Sequence, residues 1–344
     1  MSDINYTTRI DNLKTRYNPD KMQLFENRTF SETLGLSAES QKYVRMAMME
    51  VDEDYTRKTK EAGEVAKNHL KKELQGVEYR YQGSVMTNTH IRGASDIDLL
   101  VLCTKFSHTD IERVRRELND VQNHSYTELS HLRAFSNRFS LYTGNTNEDL
   151  KQLRNDIERI MQSHYIKCDI FKPKSVKITN QNLHRDVDVV TSCWYDTYYY
   201  VLHGEDERNR AISIYNKETN TDKGPDYPFL GISRINERSA ETQGRLKRMI
   251  RFLKNVRSDS DKDIDLTSFE INAICYSIDV SEYRYKEYKE LVYLLWQVMY
   301  HLIKDGTASQ LKSVVGDEYV FTTQKKIESL KLLEDEVWKI YNDN

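Results

Sequence analysis

Between Ser37 and Leu74 the apolar positions Val44, Ala47, Met48, Val51, Tyr55, Ala62, Val65, Ala66, Leu70 and Leu74 keep to one stripe. Their spacing of mostly three and four predicts a single long helix with Ser37 as its N-cap. At ~1.5 Å per residue such a helix exceeds ~50 Å, enough to brace two lobes. Upstream, residues 1–36 read as an arm of short elements. There Thr29-Phe30-Ser31-Glu32 has capping-box spacing and Gly35 closes the turn.

Beyond Leu74 the pattern changes. Val77–Gln82 reads as a strand, and the apolar run Leu99–Cys103 behind Ser95-Asp96-Ile97-Asp98 reads as a strand buried in a sheet. Thr109–Val121 and Asn147–Ser163 predict helices with polar outer faces. Tyr165–Asp169, Ser175–Ile178 and Asp186–Val190 predict short strands. Asn216–Asp226, with its Asn, Thr, Asp and Gly-Pro, reads as a loop. From Phe229 onward the pattern is helical, ending in an amphipathic helix over Gln324–Tyr341.

Composition narrows the class. The 344 residues suffice for one large domain or two fused lobes, and 4 Pro with 12 Gly beside 31% charged residues favour long solvated helices around a modest sheet. A net charge of -3 supplies no overall attraction for nucleic acid, so positive charge matters locally. No apolar run approaches the ~18–20 residues of a membrane span, and the polar start does not resemble a signal peptide. A cytoplasmic protein without a membrane partner is expected. The four cysteines stand apart without zinc-ligand spacing and read as buried thiols. The 23 tyrosines are accounted for by packing.

The candidate chemistry starts at Asp96 and Asp98, which alternation places on one side of a strand. Two carboxylates held together call for a cation, and an all-oxygen pair suits Mg²⁺ carrying nucleotide phosphates. Gly83-Ser84 follows the preceding strand, where the glycine lets phosphate approach the backbone and the serine adds a hydroxyl. Alone, either motif is commonly a strand end or a turn; together they point to metal-dependent nucleotidyl transfer. A third carboxylate is expected in Arg185-Asp186-Val187-Asp188-Val189-Val190. Asp188 is favoured because it is embedded in the apolar run, with Asp186 at its mouth and Asp169 a weaker contender. Between Ser239 and Arg257 there are six basic residues against one acid. On a helical wheel Lys247, Arg251 and Lys254 fall within roughly 60° of one another, beside an apolar stripe of Leu246, Met249, Ile250, Leu253 and Val256. That face suits a triphosphate, or is simply solvated. At the helix start Thr267-Ser268-Phe269, Phe269 would stack on a nucleobase or pack in a core.

Taken together, Gly83-Ser84, Thr89, Ser95-Asp96-Ile97-Asp98, Val187-Asp188-Val189-Val190, Ile250-Arg251-Phe252-Leu253-Lys254 and Ser268-Phe269 resemble the cGAS/DncV-like nucleotidyltransferases of bacterial anti-phage (CBASS) defence. These sit within the polymerase-β superfamily, and the resemblance runs from about residue 37 to 340. It implies a bilobed α/β fold: a mixed-sheet catalytic lobe with a spine helix, and a helical C-terminal lobe, with nucleotides in the cleft. The expected division is an arm over 1–36, a catalytic lobe over 37–205 and a helical lobe over 206–344. By that resemblance Asp96, Asp98 and Asp188 bind two Mg²⁺ ions, with Mn²⁺ as the alternative. Ser84 and its backbone, after Gly83, hold donor phosphates; Arg251 and Lys254 clamp the triphosphate, with Lys247 beside them on the wheel; and Phe269, next to Ser268, stacks on the donor base. Phe269 stands where tyrosine is common, which removes a hydroxyl and keeps the stacking. The implied activity joins ribonucleoside triphosphates, ATP foremost, into a cyclic di- or oligonucleotide read by a downstream effector, with release of pyrophosphate. The zinc insertion of the animal DNA sensor is missing, so constitutive DNA binding is not expected. A linear oligonucleotide synthetase, an enzyme modifying RNA, a small molecule or a protein, and an inactive nucleotide sensor are the competing readings.

Overall fold

The computed structural model describes residues 4–16, 36, 38–93 and 96–344. The capping-box segment Thr29–Glu32, Gly35, the N-cap Ser37 and Ser95 lie outside the described residues. The chain separates into two compact units: residues 1–56, 84–95 and 234–344 form one, and 57–83 with 96–233 form the other. This division differs from the expected boundary at 205/206.

The unit containing residues 57–83 and 96–233 is built on a mixed sheet. Its strands are β1 (Val77–Gln82), β2 (Ile97–Thr109), β3 (Cys168–Asp169), β4 (Ser175–Asn180), β5 (Arg185–Asp196), β6 (Ala211–Asn216) and β7 (Thr221–Asp226), in the order β1-β2-β5-β4-β3. Among the described residues only β2 and β5 pair in parallel. Along its other edge the long strand β5 takes β4 over residues 185–190 and β6 over residues 192–195. Asp186–Val190 is thus the first half of a strand that continues to Asp196. Thr221–Asp226, expected as loop, is a strand instead. Its side chains are nearly all exposed, so no apolar alternation marks it; backbone pairing with β6 holds it at the sheet margin, where Pro225 is tolerated. Helices at Ile111–Glu117 and Thr146–His164 meet the expectation, whereas the helix Tyr126–Arg138 was not foreseen although Ser125 and Glu128 form its capping box.

The other unit is helical. Here the expected single spine helix is two helices, α1 (Glu39–Met48) and α2 (Glu53–Glu73); α2 crosses the boundary between the units. Met49 leaves helical geometry at ψ 153°, and Asp52 starts α2 by accepting from the Tyr55 amide at 3.0 Å. The freed carbonyls at the end of α1 find side-chain donors on α3 (Arg245–Asp259): Asn255 Nδ2 to Ala47 O at 2.9 Å and Arg251 Nε to Met48 O at 3.0 Å. A helix end can be buried at low cost when its last carbonyls are satisfied in this way. The core of this unit joins Val44, Ala47 and Met48 to the predicted stripe Leu246, Met249, Ile250, Leu253 and Val256, with α4 (Ser268–Ser277), α5 (Tyr288–Lys304) and α6 (Gln324–Asn342) around them. Among the described residues no helix is long and apolar enough to cross a membrane.

Candidate active site

Parallel pairing of β2 with β5 sets Asp98 directly opposite Asp188. The pairing continues outward, Gln82 opposite Asp98 on one side and Lys177 opposite Asp188 on the other, with Asp169 opposite Lys177. Directly opposed residues share a face of the sheet, so this is one polar row across five strands. Asp96 and Asp186 precede Asp98 and Asp188 by two and fall on the same face. The apolar residues of β2 and β5 enforce the register, because a slip of one residue would bury the carboxylates and expose Leu99 and Val189, both fully buried.

Two lysines enter this face from the β4 side. Lys177 Nζ lies 2.5 Å from Asp96 Oδ2 and 3.1 Å from Asp186 Oδ2. Lys172 Nζ lies 3.3 Å from Asp188 Oδ1, which also accepts from Ser175 Oγ at 3.0 Å. Asp186 accepts in addition from Thr179 Oγ1 at 2.7 Å. Sequence reasoning missed Lys172, Ser175 and Lys177; the alternation of polar residues in Ser175-Val176-Lys177-Ile178-Thr179 was the available signal. Burial, then the charges of Asp188 and Asp96, push the Asp98 carboxyl from 3.8 up to about 7. Asp96 is raised by burial too, against the pull of Lys177. Burial would lower Lys177, but its hydrogen bonds to Asp96 and Asp186 carry it above its ordinary value.

This electrostatic state tests the fit of a metal. Carboxylate oxygens crowd on one face and the Asp98 proton is held by burial first and by the like charges of Asp188 and Asp96 second, an environment a hard divalent cation relieves. Asp96, Asp98 and Asp188 would be the ligands. Gly83, at the end of β1, has φ +88°, and a Cβ built there would collide with Asp98 Oδ2. Glycine at this position therefore keeps room for the Asp98 carboxylate.

The remaining expected site residues belong to the helical unit. Ser84 O accepts from Thr89 N at 2.9 Å, closing the loop after Gly83. Arg251 and Lys254 are 3% and 2% exposed, so the basic face is not solvated. Arg251 Nη1 donates to Asn88 O at 2.7 Å, and Lys254 Nζ donates to Thr89 O at 3.1 Å. Both thereby hold the loop that begins at Ser84. Burial pulls Lys254 from 10.5 down to about 7. Lys247, one turn earlier, is half-buried. Thr267 and Glu270 form the capping box of α4, and Phe269 in its first turn stays 40% exposed rather than joining the core. The structure thus brings together Asp96, Asp98, Asp188 and Gly83 in one unit, and Arg251 and Lys254 with the Ser84–Thr89 loop in the other.

Residues 233–342 match the cGAS/DncV-like nucleotidyltransferase C-terminal helical domain. The chain is 57% identical over 344 residues to a c-di-GMP synthase from a Lachnospiraceae bacterium, covering 100% of this chain and 99% of that one. Among solved structures it is similar to the STING-associated CdnE c-di-GMP synthase from Capnocytophaga granulosa, with TM-score 0.80, 41% identity and 98% of each chain covered. The STING-associated CdnE c-di-GMP synthase from Flavobacteriaceae sp. gives TM-score 0.87 at 35% identity, with 99% of each chain covered.

Proposed function

The chain belongs to the cGAS/DncV-like nucleotidyltransferases, and from that premise we propose that it condenses two molecules of GTP into cyclic di-GMP, releasing two pyrophosphates. It is an enzyme that forms cyclic dinucleotides, and enzymes of this family depend on a divalent metal. The observation that carries the reading is the parallel register of Asp98 with Asp188 in a chain so close to named c-di-GMP synthases. It favours guanine over the adenine that the sequence suggested.

In this reading two Mg²⁺ ions, or Mn²⁺ in their place, would neutralise the α-phosphate and leaving pyrophosphate and acidify the attacking ribose hydroxyl. Asp96, Asp98 and Asp188 hold the ions, with Lys172 and Ser175 fixing the Asp188 carboxylate and Lys177 restraining Asp96. Asp188 is the residue that takes the proton of the attacking hydroxyl, and a second transfer closes the ring. The Ser84 hydroxyl and backbone meet the donor phosphates. Arg251 and Lys254 contribute positive charge to the triphosphate while keeping the Ser84–Thr89 loop in place, and Lys247 adds a weaker contact. Phe269 offers its exposed ring to a base, with Ser268 beside it. The product would act in the cytoplasm on an effector of STING type, as the names of the relatives imply for those enzymes, within anti-phage signalling.

The test is incubation with labelled GTP, ATP, CTP and UTP, singly and together, with Mg²⁺, followed by phosphatase. A phosphatase-resistant product labelled by GTP alone is expected. Incorporation of a second base, or a product that phosphatase degrades, would refute the guanine-specific cyclisation.

A further inference from the structure

On the face of the sheet opposite the catalytic carboxylates, four strands converge on a fully buried thiol. Cys193 on β5 lies five residues beyond Asp188 and so points to the other side. Ser213 on β6 is directly opposite it. Asp222 on β7 is opposite Tyr215, two residues along from Ser213, and therefore shares that face. On the other flank His108 of β2 is opposite Tyr195.

His108 reaches this face only through an irregularity in β2. Cys103 pairs with Cys193 and Ser107 with Trp194, so β2 advances four residues while β5 advances one. The three extra residues, an odd number, turn His108 from the side of Asp98 to the side of Cys193. Bulges of this kind re-aim side chains and are enriched beside functional sites. As a result His108, Cys193 and Asp222 bring an imidazole nitrogen, a sulfur and a carboxylate oxygen within 4.8 Å of one another.

A second observation separates this cluster from an ordinary ion pair. His108 Nε2 lies 2.7 Å from Asp222 Oδ2, an ion-pair distance, but the ring nitrogen does not meet that oxygen, or any other atom among the described residues, with good hydrogen-bond alignment. Asp222 is further hydrogen-bonded by the Ser213 hydroxyl, the kind of outer contact that orients a ligating carboxylate. Of the three residues, His108 also lines a cavity of about 980 Å³ beside the outer half of β2, which brings open space to one edge of the cluster.

We propose that His108, Cys193 and Asp222 form a binding site for a borderline-soft transition metal, Zn²⁺ or a close relative, distinct from the catalytic carboxylates. The donor set fits: one thiolate, one imidazole and one carboxylate with a water in the fourth position complete a tetrahedron, whereas Mg²⁺ would prefer oxygen alone. Cys193 releases its thiol proton on binding, and the neutral imidazole supplies its lone pair. Spacing rules could not find the site, because each ligand comes from a different strand.

The test uses the full chain carrying Asp96→Ala and Asp98→Ala, so that the catalytic carboxylates do not compete, after chelator treatment and dialysis. Co²⁺ titration should saturate at one ion per chain with a thiolate-to-cobalt charge-transfer band in the near ultraviolet, displaced by Zn²⁺. Cys193→Ser should abolish the band. His108→Ala and Asp222→Asn should each weaken Co²⁺ and Zn²⁺ binding by at least about tenfold, since even outer-shell changes reach that size. His108→Ala removes a partly exposed side chain, and a thermal melt verifies that each variant folds. Absence of the thiolate band at saturating Co²⁺, or unchanged affinity in folded His108→Ala and Asp222→Asn, would overturn the proposal.

Discussion

Replacing Asp98 with Asn should stop catalysis and stabilise the metal-free protein, and the stabilisation should depend on pH. The Asp98 carboxyl is pushed from 3.8 up to about 7 by burial and by the charges of Asp188 and Asp96. Between those values the folded chain holds a proton that the unfolded chain has released. Wild-type stability therefore falls as pH rises from about 4 to about 7 and levels off above. At about 1.4 kcal/mol per tenfold in proton affinity, the penalty has a ceiling of about 4 kcal/mol. The proton is shared with neighbouring carboxylates and Lys177 offsets part of the repulsion, so about 2 kcal/mol is expected at pH 8. An amide at this position carries no charge and escapes the penalty. For a folding unit of this size the thermal midpoint should rise by roughly 4–8 °C in the presence of chelator. At pH 5.5 the advantage should shrink to about half. Adding Mg²⁺ should raise the midpoint of the wild type more than that of Asp98→Asn, because the ion supplies the missing countercharge. Thermal melts of both proteins at the two pH values, with chelator and with Mg²⁺, decide the matter. An equal or lower midpoint for Asp98→Asn at pH 8, or a difference that ignores pH, would refute the electrostatic account of this site.

Three further outcomes follow from the geometry. Asp188→Asn should abolish pyrophosphate release, while Asp186→Asn, whose carboxylate sits at the mouth of β5 with Lys177 and Thr179, should retain at least roughly a tenth of it; reversal of the two would reassign the third ligand. Gly83→Ala should cost about 1–2 kcal/mol for its positive φ, and turnover should fall about a hundredfold because the Asp98 carboxylate must move away from the new Cβ; near-normal turnover would show that this glycine is not needed for placement. Arg251→Ala and Lys254→Ala should each weaken nucleotide binding about tenfold to a hundredfold, the equivalent of charged hydrogen bonds worth roughly 1.5–3 kcal/mol. Both should also lower the thermal midpoint by leaving the carbonyls of Asn88 or Thr89 unpaired, whereas Arg248→Ala, whose guanidinium lies over the Tyr288 ring, should change affinity little; calorimetric titration of GTP into the three variants distinguishes these cases.

Features that rest on neighbouring residues were legible in the sequence. The strand Val77–Gln82, the apolar run behind Asp98, the core stripe of α3 and the cap at Thr267 all follow from local periodicity and side-chain chemistry, which a chain carries without knowing its fold. That Asp96, Asp98 and Asp188 belong to strand segments with one polar face was likewise readable, since charge embedded in an apolar strand is costly without a purpose. What stayed hidden depends on partners distant in sequence. No Gly or Pro marks the break after Met48; it forms because Arg251 and Asn255 supply donors for the carbonyls that end α1. Two further contacts, Arg251 to Asn88 O and Lys254 to Thr89 O, help turn a basic helix face that looks solvated into a buried one and tie it to the loop after Gly83. Strand β7 has no apolar pattern because the backbone ladder to β6 orders it without burying an apolar face. Sequence patterns offered Asp96, Asp98 and Asp188 as candidates and did not single out His108, Cys193 or Asp222. Their placement, Asp98 against Asp188 on one face and His108 against Cys193 and Asp222 on the other, was decided by strand register, a property of pairing between segments that no single segment encodes.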